Sequence, residues 1–185
     1  MKRKRIMVDM DDVIVGEGYL KIINEFLGTN YKHEDFDGFY MQDIIPNKKE
    51  FFDFFFSKNL YDYCEINNNA IEILKELNES YDIYIGTSYI YRGGEEGSGV
   101  ILLYKYNYLR EKLPFLNPNN YVFTGDKSII DCEIKIDDSP NNLKGAKLKL
   151  MYSAWHNRKL SDKYLKENNI IRVDNWKEIK KILLK

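Results

Sequence analysis

The sequence predicts an α/β fold, in which a doubly wound parallel sheet carries a small helical cap inserted after the first strand. Short apolar runs alternate with stretches of helical periodicity along most of the chain, which is typical of parallel strands joined by right-handed crossovers. The alternation breaks over residues 16–69, where aromatic residues accumulate. We therefore predict a core of residues 1–15 and 70–185 and a cap of residues 16–69, which we call the cap segment.

Six apolar runs are predicted to form the strands of the sheet. They cover residues 5–8, 81–86, 120–124, 133–136, 148–151 and 170–173. The first four end at polar or acidic residues, whereas the last two are followed by no comparable polar cluster. Because parallel strands place their carboxyl ends at one edge of a sheet, we expect these polar residues to meet there.

Helical periodicity predicts the segments that connect the strands and build the cap segment. Helices are expected over residues 19–27, 48–58, 70–77, 100–113 and 174–184. Gly28 is expected to end the first of these helices, and Asp174 is expected to cap the last one.

Five phenylalanines crowd the helix that is predicted over residues 48–58. They are Phe51, Phe52, Phe54, Phe55 and Phe56. These rings point to nearly every side of the helix, which is more than one buried face needs. Two interpretations stay open: the helix is wedged between two layers, or some of its rings line a pocket in which a planar base binds.

The composition excludes several classes of protein. With 185 residues, of which 44% are hydrophobic and 31% are charged, the chain suits one packed domain and indicates neither disorder nor a membrane protein. Its net charge of -1 gives no general attraction to a nucleic-acid backbone. Two cysteines without a CxxC spacing favour the cytoplasm, and early acids interrupt any signal peptide. The oligomeric state stays open, with a homodimer as one alternative.

Two pairs of acids are the strongest signal of a site. Asp9 and Asp11 follow the first strand on the same side of an extended backbone, and Asp137 and Asp138 follow a later strand. Carboxylates that lie close together repel each other unless one is protonated or a cation lies between them. Hard oxygen ligands favour Mg²⁺, so we predict a magnesium site built from these four residues.

Phosphoryl transfer explains why such residues would converge. Asp9 is the candidate nucleophile, and Asp11 is the candidate general acid and then base. Thr87 and Ser88 are expected to bind phosphate oxygens, and Lys127 is expected to offset the charge on the nucleophile and the phosphoryl group.

Simpler interpretations of the same residues stay open. The acids near Asp9 also suit a solvated turn, Lys127 also suits a surface loop, and Thr87 with Ser88 also suits a helix N-cap. His156 is a candidate general acid, although a single histidine beside a tryptophan is more often a packed or surface residue.

The motifs DMDDV, IGTS, DK and IDD, in this order, resemble those of the haloacid-dehalogenase phosphatases, whose sheet is Rossmann-like. The runs YIGTSYI, FTGDKSIIDCEIKIDDSPNNL, SAWHNRKL and FFSKNLY extend the resemblance to the 5′(3′)-deoxyribonucleotidases over nearly the whole chain. This resemblance implies a magnesium-dependent phosphatase that forms an aspartyl phosphate and acts on (deoxy)ribonucleoside 5′- or 3′-monophosphates. It also implies that cap aromatic residues hold the base, and local alignment assigns this role to Phe39, Tyr40 and Phe55.

The sequence departs from the pattern of these relatives at four places. Glu17 stands in place of an aromatic residue, Tyr89 replaces a proline, the pair Tyr91-Arg92 lies where a lysine near the phosphate is usual, and Ser139 replaces an arginine. The catalytic residues are therefore better defined than the base or the sugar. A sugar phosphate or another small phosphomonoester is the alternative substrate, and a non-catalytic nucleotide-binding protein is the alternative of a different class.

Overall fold

A six-stranded parallel sheet forms the centre of the computed structural model, which describes residues 3–36 and 39–184. Its strands are β1 (Arg5–Val8), β4 (Asp82–Thr87), β5 (Tyr121–Phe123), β6 (Cys132–Asp137), β7 (Ala146–Tyr152) and β8 (Ile170–Val173). They lie in the order β5-β4-β1-β6-β7-β8, and a separate short sheet pairs β2 (Val15–Gly16) with β3 (Glu65–Ile66). The predicted α/β class and doubly wound parallel sheet are confirmed.

The α-helices of the described residues connect these strands and fill the segment between β2 and β3. They are α1 (Gly18–Leu27), α2 (Lys48–Phe56), α3 (Ala70–Ser80), α4 (Gly99–Lys112), α5 (Asp162–Glu167) and α6 (Trp176–Leu183). Among the helices in this part of the chain, none combines the length and the apolar composition that crossing a bilayer requires.

Strand β1 lies inside the sheet, between β4 and β6. Val8 is in register with Ile85 on one side and with Ile136 on the other, and all three side chains are fully buried. Strands that are covered on both faces need continuous apolar runs, which explains why these strands were predictable. The chain crosses from one side of β1 to the other after β5, so the residues that follow β1, β4 and β6 meet at a topological switch point.

The cap segment leaves the core and returns to it through the short β2–β3 ladder. Val15 pairs with Ile66 and Gly16 with Glu65 in antiparallel register. These strands were missed by the sequence analysis because two residues are too short to show a period. The ladder nevertheless lies close to the predicted boundaries of the cap segment, since everything from residue 17 to residue 64 falls between its two strands.

The phenylalanine-rich helix α2 is wedged into the core. Phe51, Phe52 and Phe55 are buried on one helical face, and Phe26 and Tyr19 of α1 contact this face through ring pairs. The backbone of the loop that contains Gly94 packs directly on Phe52. Of the two interpretations of this helix, packing between layers therefore accounts for its buried rings.

Helix α6 begins two residues later than predicted, and the predicted cap residue is wrong. The side chain of Asn175 accepts a hydrogen bond from the backbone N–H of Glu178 at 3.1 Å, which is the capping interaction. The Asp174 carboxylate instead accepts from the Ser153 hydroxyl. Helix α5 was missed because it is only six residues long and buries a single side chain, Leu165.

We expect Asn175→Ala to lower the free energy of unfolding by about 1 kcal/mol, because the first turn of α6 would lose its side-chain acceptor. Asn175→Asp is the matched control, since aspartate caps a helix as well as asparagine does. Urea denaturation of the two variants and the parent would measure the difference. Equal stability of Asn175→Ala and Asn175→Asp would contradict the assignment of the cap.

Candidate active site

A cavity of about 520 Å³ opens where the carboxyl ends of β1, β4 and β6 meet. The core contributes most of the charged side chains of its wall, among them Asp9, Asp11, Asp12, Lys127 and Asp138, and it also contributes Ser88. The cap segment contributes mainly aromatic and polar side chains, among them Glu17, His33, Phe39, Tyr40 and Gln42. The predicted convergence of strand ends therefore produces an open site with acids on the core side.

The Lys127 ammonium lies between two buried carboxylates. Its Nζ is 2.6 Å from Asp9 Oδ2 and 2.6 Å from Asp137 Oδ2. Burial raises the pKa of Asp9 to about 6 and that of Asp137 to about 6, and the ammonium opposes both shifts. Burial also disfavours the charged lysine, but the two carboxylates outweigh it and raise the pKa of Lys127. Lys127 is therefore a buried cation, and the surface-loop interpretation is wrong.

Backbone hydrogen bonds fix the position of Asp9. Its N–H donates to the carbonyl of Ile136 at 2.9 Å, which continues the β1–β6 ladder past the end of the strand. Its Oδ1 accepts from the backbone N–H of Met10 at 2.6 Å, while Oδ2 contacts Lys127. Asp9 is only 8% exposed, so the carboxylate is held in one orientation at the floor of the cavity.

Asp137 and Asp138 point in different directions. Asp137 Oδ1 accepts from the Ser139 backbone N–H and from the Asn142 amide, both at 2.9 Å, and its other oxygen contacts Lys127. Asp138 lines the cavity, and its Oδ2 lies 2.6 Å from His156 Nε2. His156 therefore belongs to the surroundings of Asp138, a contact that its sequence position did not indicate.

Three of these acids suit a divalent cation. Asp9, Asp137 and Asp138 each offer one carboxylate oxygen, and the three oxygens lie within 4.8 Å of one another. Such hard oxygen ligands suit Mg²⁺. Asp9 and Asp138 line the cavity whereas Asp137 does not, so Asp9 and Asp138 are the better candidates for direct ligands and Asp137 is the better candidate for a supporting residue.

The Asp11 carboxylate lies in a separate cluster. Its Oδ1 accepts from the hydroxyl of Tyr61 at 3.0 Å, and its Oδ2 accepts from the ammonium of Lys105. Burial raises the pKa of Tyr61 well above its ordinary value, so this hydroxyl keeps its proton and donates it to the hydrogen bond. Asp9 and Asp11 are thus two residues apart in sequence but have different cationic partners.

Lys105 was missed by the sequence analysis. This lysine lies on α4 with its side chain fully buried, and its Nζ donates to Thr87 Oγ1 at 2.7 Å as well as to Asp11. A charged side chain inside the apolar run VILLYKYNYL was the available signal. Lysine is almost never fully buried without a partner, so such a residue indicates an acidic partner elsewhere in the chain.

Thr87 and Ser88 end up in different environments. Thr87 is 1% exposed, and its hydroxyl accepts a hydrogen bond from Lys105. Ser88 lines the cavity, whereas Thr87 does not. Helix α4 starts only at Gly99, so the alternative that these two residues cap a helix is wrong.

The three predicted base-binding aromatic residues also differ in their position relative to the cavity. Phe39 and Tyr40 line the cavity and are 53% and 42% exposed. Phe55 is fully buried, with its ring 5.2 Å from that of Tyr19 and 4.8 Å from that of Tyr91, and both of these tyrosines line the cavity. The structure therefore places Phe55 behind the wall, because helical periodicity puts it on the buried face of α2.

Comparison with known proteins identifies the family. The family model described as 5′ nucleotidase, deoxy (pyrimidine), cytosolic type C protein matches residues 3–185. The 5′(3′)-deoxyribonucleotidase of Bacillus subtilis strain 168 is 30% identical, over 98% of this chain and 99% of that protein. The chain belongs to the 5′(3′)-deoxyribonucleotidase family. It is accordingly a phosphoric monoester hydrolase of the haloacid-dehalogenase superfamily, as its motifs predicted.

One further sequence relative supports the same family, and two solved structures support the fold. A Staphylococcus epidermidis protein provisionally named 5′(3′)-deoxyribonucleotidase is 32% identical, over 97% of this chain and 96% of its own length. A haloacid-dehalogenase hydrolase of Bacillus subtilis, solved with magnesium, has a TM-score of 0.56 at 13% identity, with 99% of each chain covered. A phosphatase structure from Clostridium difficile has a TM-score of 0.54 at 19% identity, also with 99% of each chain covered. At such identities the two structures support the fold alone.

In this deoxyribonucleotidase-family site we expect Lys105→Met to lower kcat about a hundredfold or more, because Asp11 would lose its cationic partner. Methionine has a similar length and suits a buried position. The measurement is steady-state hydrolysis of p-nitrophenyl phosphate. Lys112→Met is the control, since Lys112 lies on the same helix with its side chain 39% exposed. Urea denaturation would show whether a loss of activity reflects a loss of folding. A folded Lys105→Met enzyme with unchanged kcat would refute a role of Lys105 in the reaction.

Proposed function

We propose that the protein hydrolyses deoxyribonucleoside 5′- or 3′-monophosphates through an aspartyl phosphate on Asp9, with Mg²⁺ as cofactor. The observation that carries the proposal is the Lys127 ammonium, 2.6 Å from Asp9 and 2.6 Å from Asp137, at the floor of a cavity with an aromatic wall. The Bacillus subtilis relative named 5′(3′)-deoxyribonucleotidase supports the substrate class.

Asp9 is the nucleophile in this mechanism. One of its carboxylate oxygens attacks the phosphorus, and the bond from phosphorus to the ester oxygen breaks. Splitting the displacement into two steps lowers the barrier of each step. Lys127 contacts Asp9 directly, so its positive charge opposes the repulsion between the carboxylate and the incoming phosphate.

Asp11 transfers the protons. It donates a proton to the leaving alcohol in the first step, and it accepts a proton from the attacking water in the second. Water then releases inorganic phosphate and restores the Asp9 carboxylate. Tyr61 and Lys105 hold the Asp11 side chain from two elements, which keeps it oriented while its charge changes.

Asp9 and Asp138 would hold the Mg²⁺ ion, together with the main-chain carbonyl of Asp11. Asp137 would support this shell through its contacts with Lys127 and Asn142. When bound, the ion supplies positive charge that offsets the negative charge of the phosphate and of the carboxylates. His156 restrains the Asp138 carboxylate at 2.6 Å and thereby orients a ligand of the ion.

The cap segment, residues 16–69, is the part that recognises the nucleoside in this proposal. Tyr40 has one ring face against the Arg92 guanidinium, whose carbon lies 4.4 Å from the ring centroid. Arg92 is in turn 3.8 Å from Asp43, so a core loop and the cap segment hold this tyrosine at the cavity. Phe39 packs edge to face on Tyr40 at 5.1 Å, and the two rings offer a surface to a planar base.

We expect Asp9→Asn to abolish phosphatase activity, because an amide cannot form the acyl phosphate. The fold should persist, since Lys127 keeps its contact with Asp137. The measurement is intact-protein mass spectrometry after acid quench with substrate and Mg²⁺, which should show one phosphoryl group on the parent and none on Asp9→Asn. Asp53→Asn, at an exposed position of α2, is the control. Near-normal turnover by Asp9→Asn would rule out the covalent route.

We expect Tyr40→Ala to raise KM for a nucleoside monophosphate about tenfold, because one stacking surface for the base is lost. The KM for p-nitrophenyl phosphate should change much less, since that ester has no base. Tyr106→Ala is the matched control, because Tyr106 is similarly exposed (40%) and lies on α4 outside the cavity wall. A proportional rise in both KM values would contradict base stacking at this position.

A further inference from the structure

Glu17 occupies an unusual position in the cavity wall. It lies between β2 and α1, with Gly16 before it and Gly18 after it, and its φ of 69° is in the left-handed region. Residues with a β-carbon are uncommon there, and such conformations persist where the surrounding structure holds them. The side chain does not cap α1, although the residue stands at the N-cap position. Its carboxylate is therefore free to face the cavity that it lines.

The Glu17 carboxylate has unused hydrogen-bonding capacity. The His33 ring is nearby, but its Nδ1 lies 3.6 Å from Glu17 Oε1, which is longer than a hydrogen bond. Within residues 3–36 and 39–184, no side chain or backbone N–H makes a hydrogen bond to this carboxylate. With 46% of its side chain exposed, Glu17 offers two acceptor oxygens to whatever fills the cavity.

A flat aromatic surface lies next to this carboxylate. The rings of His33 and Trp155 are stacked with an interplanar angle of 2° and a centroid distance of 5.4 Å, and both residues line the cavity. A carboxylate repels the phosphate of the substrate, so it is useful only toward the hydrogen-bond donors of the ligand. In a nucleotide these are the sugar hydroxyls and the N–H groups of the base, and of the two only the base can also stack on the rings of His33 and Trp155.

We propose that Glu17 selects the base of the substrate, and that this base is guanine. The inference rests on the proposed nucleotidase function and adds the base to it. Guanine carries two adjacent donors, N1–H and the 2-amino group, and these match the two oxygens of one carboxylate. Adenine, cytosine and thymine each place an acceptor beside their donor, and that acceptor would face a carboxylate oxygen.

The test measures binding without turnover, in the Asp9→Asn protein with Mg²⁺, by isothermal titration calorimetry. The ligands are dGMP and dIMP, which differ only in the 2-amino group. We expect dGMP to bind about tenfold more tightly than dIMP, which is the usual effect of one hydrogen bond to a charged group. Adding Glu17→Gln should bring the ratio of the two dissociation constants close to one. Glu79→Gln, on the exposed face of α3, is the matched control and should leave the ratio unchanged.

The outcomes separate this inference from the proposed function. A dGMP to dIMP ratio that Glu17→Gln does not change would overturn the guanine assignment. Wild-type turnover of dTMP with kcat/KM equal to that of dGMP would also overturn it, while leaving the nucleotidase function in place. Hydrolysis of p-nitrophenyl phosphate by a wild-type enzyme that turns over no nucleotide would instead overturn the proposed substrate class.

Discussion

The contact of one ammonium group with two buried carboxylates is the constraint on which this site depends. Lys127, from the loop after β5, meets Asp9 after β1 and Asp137 at the end of β6. Burial alone would push both acids toward their neutral forms, as the raised pKa values of about 6 indicate. A neutral Asp9 would be a poor nucleophile. The lysine therefore joins three chain segments and also favours the charged form of Asp9 that the proposed mechanism requires.

A second lysine gives two neighbouring acids different surroundings. Asp9 and Asp11 would repel each other if they shared one environment, but Lys105 draws the Asp11 carboxylate toward α4 and Thr87. Pairs of carboxylates placed in different surroundings are the usual basis for assigning nucleophile and acid roles. Here the difference arises because the two acids contact different cations, one from the β5 loop and one from α4.

The sequence predicted those parts of the site that are local to a strand end. The acids at Asp9 and Asp138 were found because each follows an apolar run, and the pattern of runs is sufficient to predict the parallel sheet. Lys105 was missed because its contact with Asp11 joins residues 94 positions apart, and no local period encodes that contact. Phe55 was misplaced for a related reason: periodicity shows that a ring is buried, but the packing of α2 decides whether a cavity lies beside it.

The attachment of the cap segment to the core explains how cap residues and the acids of the core are held around one cavity. Asn67, just after β3, donates its backbone N–H to the Ile14 carbonyl and its side-chain amide to the Val13 carbonyl, both at 2.9 Å. The cap segment therefore rejoins the turn that follows Asp9 and Asp11. Trp176 of α6 donates to the same Val13 carbonyl at 2.9 Å and fixes this turn to the core. The turn is thus anchored independently of the side chains that face the substrate. Tyr61 of the cap segment contacts Asp11 itself, so it couples the position of the cap segment to the residue that transfers protons in the proposed mechanism.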